Sequence, residues 1–127
     1  MSTEELTLDE YQTKAMTTCM DSSKNISYML LNLVGEVGEF SSKIAKGIRK
    51  GQLSINHNNL KLDVMPTIAI IEEMESGLKE ELGDILWQLS GICSVMELKL
   101  SDIAAINLNK LSSRKERNVI DGDGDNR

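Results

Sequence analysis

Apolar residues recur every three to four positions over four stretches of this chain, and short polar segments separate the stretches. That spacing places the apolar side chains on one face of a helix, so it predicts four α-helices. The first begins near Thr7 or Asp9, either of which is a good N-cap, and the fourth begins at the cap residue Ser101. The third begins just after Pro66 and has a candidate break at Gly77. The four expected spans are residues 8–20, 26–49, 67–98 and 101–117.

Two of these helices carry apolar stripes that we expect to face the core. The stripe of the second helix lies within about 60° of Val37 and consists of Ile26, Leu30, Leu33, Val34, Ile44 and Ile48. The stripe of the third helix is centred on Ile85 and consists of Leu82, Leu89, Ile92, Cys93 and Met96.

The segments outside the helices are polar. Residues 51–66 are rich in asparagine, which predicts a loop or a hairpin, and residues 118–127 form a tail without helix propensity. No repeat or linker divides the chain, so residues 1–127 are expected to form one domain. The simplest architecture is all-α, with four helices in a bundle.

Composition and charge exclude several classes of function. The formal net charge of −6 argues against a duplex nucleic acid partner, because phosphate contacts need clustered Lys and Arg. No stretch approaches 18 consecutive apolar residues, so no membrane span is expected. The acidic N-terminus does not resemble a signal peptide, and Cys19 and Cys93 are expected to be reduced thiols. The expected compartment is therefore the cytoplasm.

The candidate chemistry lies in two acidic pairs. Glu36 and Glu39 on the second helix, and Glu81 and Asp84 on the third, have the i, i+3 spacing that places both side chains on one side of a helix. Gln88 lies on the same strip as the second pair. If the two helices pack side by side, four carboxylates converge and repel one another unless they bind cations. Such oxygen ligands favour Mg²⁺, with Mn²⁺ as a substitute. The alternative is that each pair is only part of a solvated face.

Three segments resemble a known family. They look like segments of the MazG-like, all-α nucleoside triphosphate pyrophosphatases and read LVGEVGEF, KEELGDILWQL and NLNKLSSR. The signature of that family is ExxE, a spacer and then ExxD. Residues 8–12 resemble the family's first helix, and the tail GDGDNR resembles endings seen on some members. The resemblance covers most of the chain except residues 51–71. The spacer between Glu39 and Glu81 is longer than the family's usual one, which indicates an insertion there. Between residues 51–71 and Glu81 lies a rival acid cluster, which consists of Glu72, Glu73, Glu75 and Glu80.

The resemblance implies a function and a set of site residues. It implies a four-helix MazG-like bundle completed by a homodimer or homotetramer, with Mg²⁺ bound by Glu36, Glu39, Glu81 and Asp84. It also implies that Asn107 hydrogen-bonds the nucleotide and that Lys110 neutralises phosphate charge. Water would attack the α-phosphorus of a nucleoside triphosphate, and a deoxynucleotide is the expected substrate. Pyrophosphate would leave.

Three assignments remain open at this point. One of the four acids would orient the water; Glu39 and then Glu36 are the catalytic candidates, but the sequence does not choose the base. Lys43 contacts either a substrate phosphate or Glu39, four residues earlier on the helix. Gln88 is a candidate substrate contact because it shares the acidic strip. The alternative function is a non-catalytic helical interaction or nucleotide-binding module, in which the acids are solvated and neither Mg²⁺ nor turnover is involved.

Overall fold

The computed structural model describes residues 4–63 and 67–126 and is mostly helical. The described elements are α1 (Leu8–Met16), α2 (Ile26–Arg49), β1 (Leu53–Asn56), β2 (Asn59–Leu62), α3 (Ile68–Val95) and α4 (Leu100–Glu116), with a short 3₁₀ turn at Asp21–Ser23. The four helices confirm the expected helical character, and the two strands add a small hairpin. Within the described ranges, no helix combines the length and the apolar character needed to cross a bilayer.

Side-chain caps begin three of the helices. The Thr7 hydroxyl accepts a hydrogen bond from the backbone N–H of Glu10, and the Glu10 carboxylate accepts one from the backbone N–H of Thr7. This capping box identifies Thr7, and not Asp9, as the N-cap of α1. Asn25 caps α2, and Thr67 caps α3. Pro66 lies outside the described residues.

The fourth helix begins differently from the prediction. Its N-cap is Lys99, which makes no side-chain cap bond. Ser101 lies inside the first turn instead, and its hydroxyl donates to the carboxylate of Asp9 on α1. The prediction of Ser101 as a cap was therefore wrong, because that side chain joins two helices.

Two helices end earlier than expected. The hydroxyls of Thr17 and Thr18 donate to carbonyls of the last turn of α1, and this local bonding competes with further helix, so α1 stops at Met16. At the end of α3, Glu97 adopts a positive φ of 58°, and the N–H of Leu98 donates to the carbonyl of Cys93. This is a Schellman motif, which closes the helix at Val95. Gly77 does not break α3.

The polar segment after α2 forms a hairpin. β1 and β2 pair antiparallel, and the two-residue turn at His57 and Asn58 has positive φ at both positions, as a type I′ turn requires. The N–H of Gln52 donates to the carbonyl of Gly47, and the N–H of Asp63 donates to the carbonyl of Gln52. The side chain of Leu53 packs on Gly47, where a Cβ would collide with it. The hairpin is therefore fastened to the end of α2.

The most extensive helix contact joins α2 to α3, but not through the predicted stripe of α2. Val34 is 72% exposed, and Val37, Leu30, Ile26 and Ile48 are exposed as well. The buried residues of α2 are Met29 and Gly47, which lie about 80° from Val37 around the helix axis. The expected core face was therefore wrong for a single chain, because α2 turns its polar flank towards α3.

The stripe of α3 is only partly buried. Leu82, Leu89 and Met96 are exposed, whereas Cys93 is buried. The other buried residues of α3 are polar or small: Glu81, Gln88, Ser90 and Gly91. The contact between α2 and α3 thus combines Met29 with polar and small side chains, and much of the apolar surface of both helices faces outwards.

Candidate metal centre

Three of the four predicted acids meet between α2 and α3. One carboxylate oxygen from each of Glu36, Glu39 and Glu81 lies within 4.8 Å of the others. The i, i+3 spacing brings the first two to one side of α2, and helix packing brings Glu81 opposite them. Glu81 is buried, Glu36 is half-buried and Glu39 is exposed. The group therefore extends from the helix contact to the solvent.

The fourth predicted acid, Asp84, lies beside this group. It is exposed and is not one of the three residues whose oxygens lie within 4.8 Å of one another. Its negative charge nevertheless contributes to raising the pKa of Glu36 and that of Tyr11. Asp84 therefore belongs to the same electrostatic environment, at the side facing α1.

The charge of the cluster is poorly compensated around Glu36. Partial burial, and after it the charges of Asp84 and Glu39, raise the pKa of Glu36 above its ordinary value. A single hydrogen bond from Asn32 acts in the opposite direction. Both effects that raise the pKa disfavour the carboxylate, and the attraction of a bound cation would oppose both.

Lys43 partly neutralises the buried end of the cluster. Its ammonium lies 2.9 Å from Glu81 Oε1 and also donates to the carbonyl of Gly77, 3.2 Å away. The bond to Glu81 raises the pKa of Lys43. The ion pair therefore joins Lys43 to Glu81 across the helix contact rather than to Glu39 along α2.

One oxygen of the cluster fits a metal ion in particular. Glu81 Oε2 is buried and has no hydrogen-bond partner among the described residues. A buried carboxylate oxygen without a partner is unfavourable unless a cation or a water molecule binds it. Three converging carboxylates are also the donor set that Mg²⁺ and Mn²⁺ prefer. The residues present therefore fit a divalent cation.

Gln88 lies deeper than a surface contact for substrate would. Its side chain is fully buried, and its Oε1 accepts a hydrogen bond of 2.9 Å from Asn32 Nδ2. The same Asn32 nitrogen donates to Glu36 Oε1 at 3.3 Å. Asn32 was not among the site residues expected from the sequence. Its position four residues before Glu36 is the signal that could have identified it.

Asn107 and Lys110 lie on the fourth helix and not on the two helices that carry these carboxylates. Both are exposed on α4, and α4 packs on α1 and α3. Lys110 forms an ion pair of 3.5 Å with Asp125 in the C-terminal tail. Within residues 4–63 and 67–126, no hydrogen bond or ion pair joins Asn107 or Lys110 to the acidic cluster.

A cleft opens beside the cluster. Its volume is about 590 Å³, and it lies between the end of α2, the hairpin and the first half of α3. Lys43 belongs to both the cleft and the cluster, and Lys46 and Lys50 add two more positive charges. Of the rival acids, Glu73 and Glu80 line this cleft, and among the described residues none of the four joins the cluster of Glu36, Glu39 and Glu81.

Comparison with known proteins finds a matching family model and a relative. Residues 24–119 match the model of the MazG nucleotide pyrophosphohydrolase domain, and this range contains all four predicted acids. The chain is also 35% identical to the gene 37 protein of Mycobacterium phage L5, over an alignment covering 94% of this chain and 98% of the phage protein. No solved structure gives a significant match. From the ExxE and ExxD pairs, the helices that carry them and the extent of the match, we conclude that this chain belongs to the MazG nucleotide pyrophosphohydrolase family.

Proposed function

We propose that this protein hydrolyses nucleoside triphosphates, with deoxynucleotides as the preferred class, to monophosphates and pyrophosphate in a Mg²⁺-dependent reaction. The observation that carries the proposal is the convergence of Glu36, Glu39 and Glu81 within a domain of this family. The buried, partnerless oxygen of Glu81 supports a cation at that point.

Each residue has a distinct part in this proposal. Glu36, Glu39 and Glu81, with Asp84 beside them, would hold Mg²⁺, and Mn²⁺ would be accepted as a substitute. When bound, the metal neutralises phosphate oxygens and lowers the pKa of a water molecule. Glu39 is the most exposed of the three clustered acids, so it is the one that can reach and orient the attacking water, with Glu36 beside it.

The cations of the chain would bind the triphosphate. Lys43 adjoins both the cluster and the cleft, so it can exchange its bond with Glu81 for one with a phosphate when a metal ion neutralises that carboxylate. We retain Asn107 and Lys110 as proposed substrate contacts. Because they lie on α4 and make no described hydrogen bond or ion pair with the cluster of their own chain, they would serve a site completed by a second copy.

The direct test is a panel of nucleoside triphosphates with and without Mg²⁺, in which pyrophosphate and orthophosphate are measured separately. We expect pyrophosphate and monophosphate as products, and no turnover after the metal is removed with EDTA. Glu36→Gln should abolish turnover because it removes one metal-binding charge at nearly constant volume. Glu75→Gln is the matched control, since Glu75 is an exposed acid of α3 that pairs with Lys79.

Other outcomes would contradict the proposal. Orthophosphate as the first product would refute attack at the α-phosphorus. Turnover that survives in Glu36→Gln would show that the site lies elsewhere. If no nucleotide is hydrolysed and Mg²⁺ does not change the thermal stability, the non-catalytic module is the better description.

We also infer that the chain works as a homodimer or homotetramer. Apolar side chains of three helices face outwards, among them Leu31 at 75% exposure, Val34 on α2, Leu82 on α3 and Ile106 on α4. Leu31 and Val34 are neighbours on one side of α2, and exposed apolar side chains grouped in this way are a usual mark of a protein interface. Sedimentation or light scattering should show a dimer or a tetramer that Val34→Asp weakens. A monomer at micromolar concentration would refute the inference.

A further inference from the structure

We propose that Asn32 and Gln88 are positioning residues, which hold the Glu36 carboxylate ready for the cation without touching substrate. The inference rests on the proposed function, because it assumes that Glu36 binds a metal. It also gives Gln88 a role different from the substrate contact expected from the sequence.

The amide of Asn32 is bonded on both of its donors. Its Nδ2 lies 3.3 Å from Glu36 Oε1 and 2.9 Å from Gln88 Oε1. An amide nitrogen has two hydrogens, so these two acceptors use both of them. Rotating the amide by 180° would place its oxygen against two other oxygens. The position of the Glu36 oxygen is therefore tied to that of Gln88.

Gln88 provides a fixed point for this arrangement. Its side chain is fully buried, and its Nε2 donates to Met29 Sδ at 3.6 Å. Met29 is itself fully buried and packs directly on Gly91, where there is no room for a Cβ. The Gln88 amide thus accepts a hydrogen bond from Asn32 and donates one to Met29, and both bonds lie inside the contact between α2 and α3.

This arrangement matters because Glu36 needs to be held. A glutamate has three rotatable bonds, and Glu36 stands among other acids that repel it. A bond to one carboxylate oxygen limits these rotations and leaves the second oxygen for the cation. Residues that orient a metal ligand in this way typically change metal affinity by about 10–100-fold when they are replaced.

The test measures Mn²⁺ binding to the nucleotide-free protein by electron paramagnetic resonance, together with the Mg²⁺ dependence of kcat and KM. The variants are Asn32→Ala, Gln88→Leu and the double variant. Gln12→Ala is the matched control. The Gln12 amide bonds Ser94 and Leu98 and accepts from the N–H of Leu100, so it ties helices together at a distance from the cluster.

We expect each single variant to raise the Kd of Mn²⁺ about tenfold and the half-activating Mg²⁺ concentration by a similar factor. At saturating Mg²⁺, kcat should largely recover, because the reacting groups remain. The Kd of the double variant for Mn²⁺ should be no higher than that of the weaker-binding single variant, since both residues act through Glu36. Gln12→Ala should lower the Tm and leave the Kd unchanged.

Two results would overturn the inference. If wild type binds Mn²⁺ and the variants bind it equally well, with only a lower Tm, the two amides serve packing alone. If the two effects add in the double variant, the residues do not act in series. If Gln88→Leu fails to fold, Asn32→Ala still decides, because Asn32 is only half-buried. Absence of any Mn²⁺ or Mg²⁺ binding by wild type would instead refute the proposed function itself.

Discussion

Replacing Gly91 by alanine tests the closest approach between α2 and α3. A Cβ at this position would lie 2.6 Å from Met29 Cε and closer still to the Met29 sulfur. Carbon atoms in contact normally stand about 3.5–4.0 Å apart, so one of the two residues must move. Met29 is fully buried and accepts a hydrogen bond from Gln88, which leaves it little room to do so.

The size of the effect follows from two opposing contributions. Alanine in place of glycine inside a helix stabilises it by about 1 kcal/mol. Overpacking of a well-filled site destabilises by roughly 1–3 kcal/mol. Gly83 lies on the same helix with nothing within 4 Å of a Cβ, so Gly83→Ala should show the first contribution alone. The difference between the two variants is therefore about 1–3 kcal/mol.

Thermal unfolding in EDTA, at one fixed protein concentration, measures this difference. For a chain of this length, 1 kcal/mol corresponds to roughly 4 °C in Tm, so Gly91→Ala should unfold at least about 4 °C below Gly83→Ala. It should also weaken Mn²⁺ binding, because a displaced Met29 disturbs Gln88. Equal stabilisation by both alanines would refute the close packing of Gly91 on Met29.

Three further predictions concern the ends of the chain and the cluster. Thr7→Ala should destabilise by about 0.5–2 kcal/mol at neutral pH. The bonds from the Thr7 backbone and hydroxyl lower the pKa of Glu10, so the part of this stabilisation that the Glu10 carboxylate provides is lost as the pH falls below the ordinary carboxylate range. Acid titration of both proteins should show the difference shrinking. Truncation after residue 121 should destabilise by about 1–3 kcal/mol in chemical denaturation, because buried Arg114 loses its acceptors at Gly124 and Asp125; an unchanged midpoint would contradict this. The raised pKa of Glu36 means that its ionised form destabilises the metal-free fold, so Glu36→Gln should raise the Tm in EDTA at pH 7, and this gain should vanish below pH 4.5.

The helices of this chain could largely be predicted because the signals that set them are local. The range of α2 matches the expected span of residues 26–49, since Asn25 caps its start and a polar, glycine-containing segment follows its end. The early end of α1 depends on the hydroxyls of Thr17 and Thr18, which bond to nearby carbonyls only once a turn has formed. The sequence could not distinguish a loop from a hairpin after α2. The hairpin depends on the positive φ angles at His57 and Asn58, which residue types alone do not determine.

The acids of the site were predictable from spacing, but their surroundings were not. Periodicity shows that Glu36 and Glu39 share a flank of α2, yet it assigns the apolar stripe near Val37 to the core. In the folded chain most of that stripe is exposed, and the flank, half-buried at Glu36, is the side that faces α3. A hydrophobicity pattern cannot say whether a stripe contacts its own chain or another surface. Which face of α2 packs against α3 decides that Lys43 pairs with Glu81. It also decides that Asn32 bonds Gln88.

The hairpin has a consequence for how this domain can change over evolution. Residues 52 and 63 are joined by a backbone hydrogen bond, so the strands between them return the chain to nearly the point from which it left. A longer, shorter or different hairpin would change the number of residues between the two acidic pairs. It would not change the distance that separates the pairs in space. The segment is therefore a place where related chains can diverge in length while keeping the same carboxylates opposed.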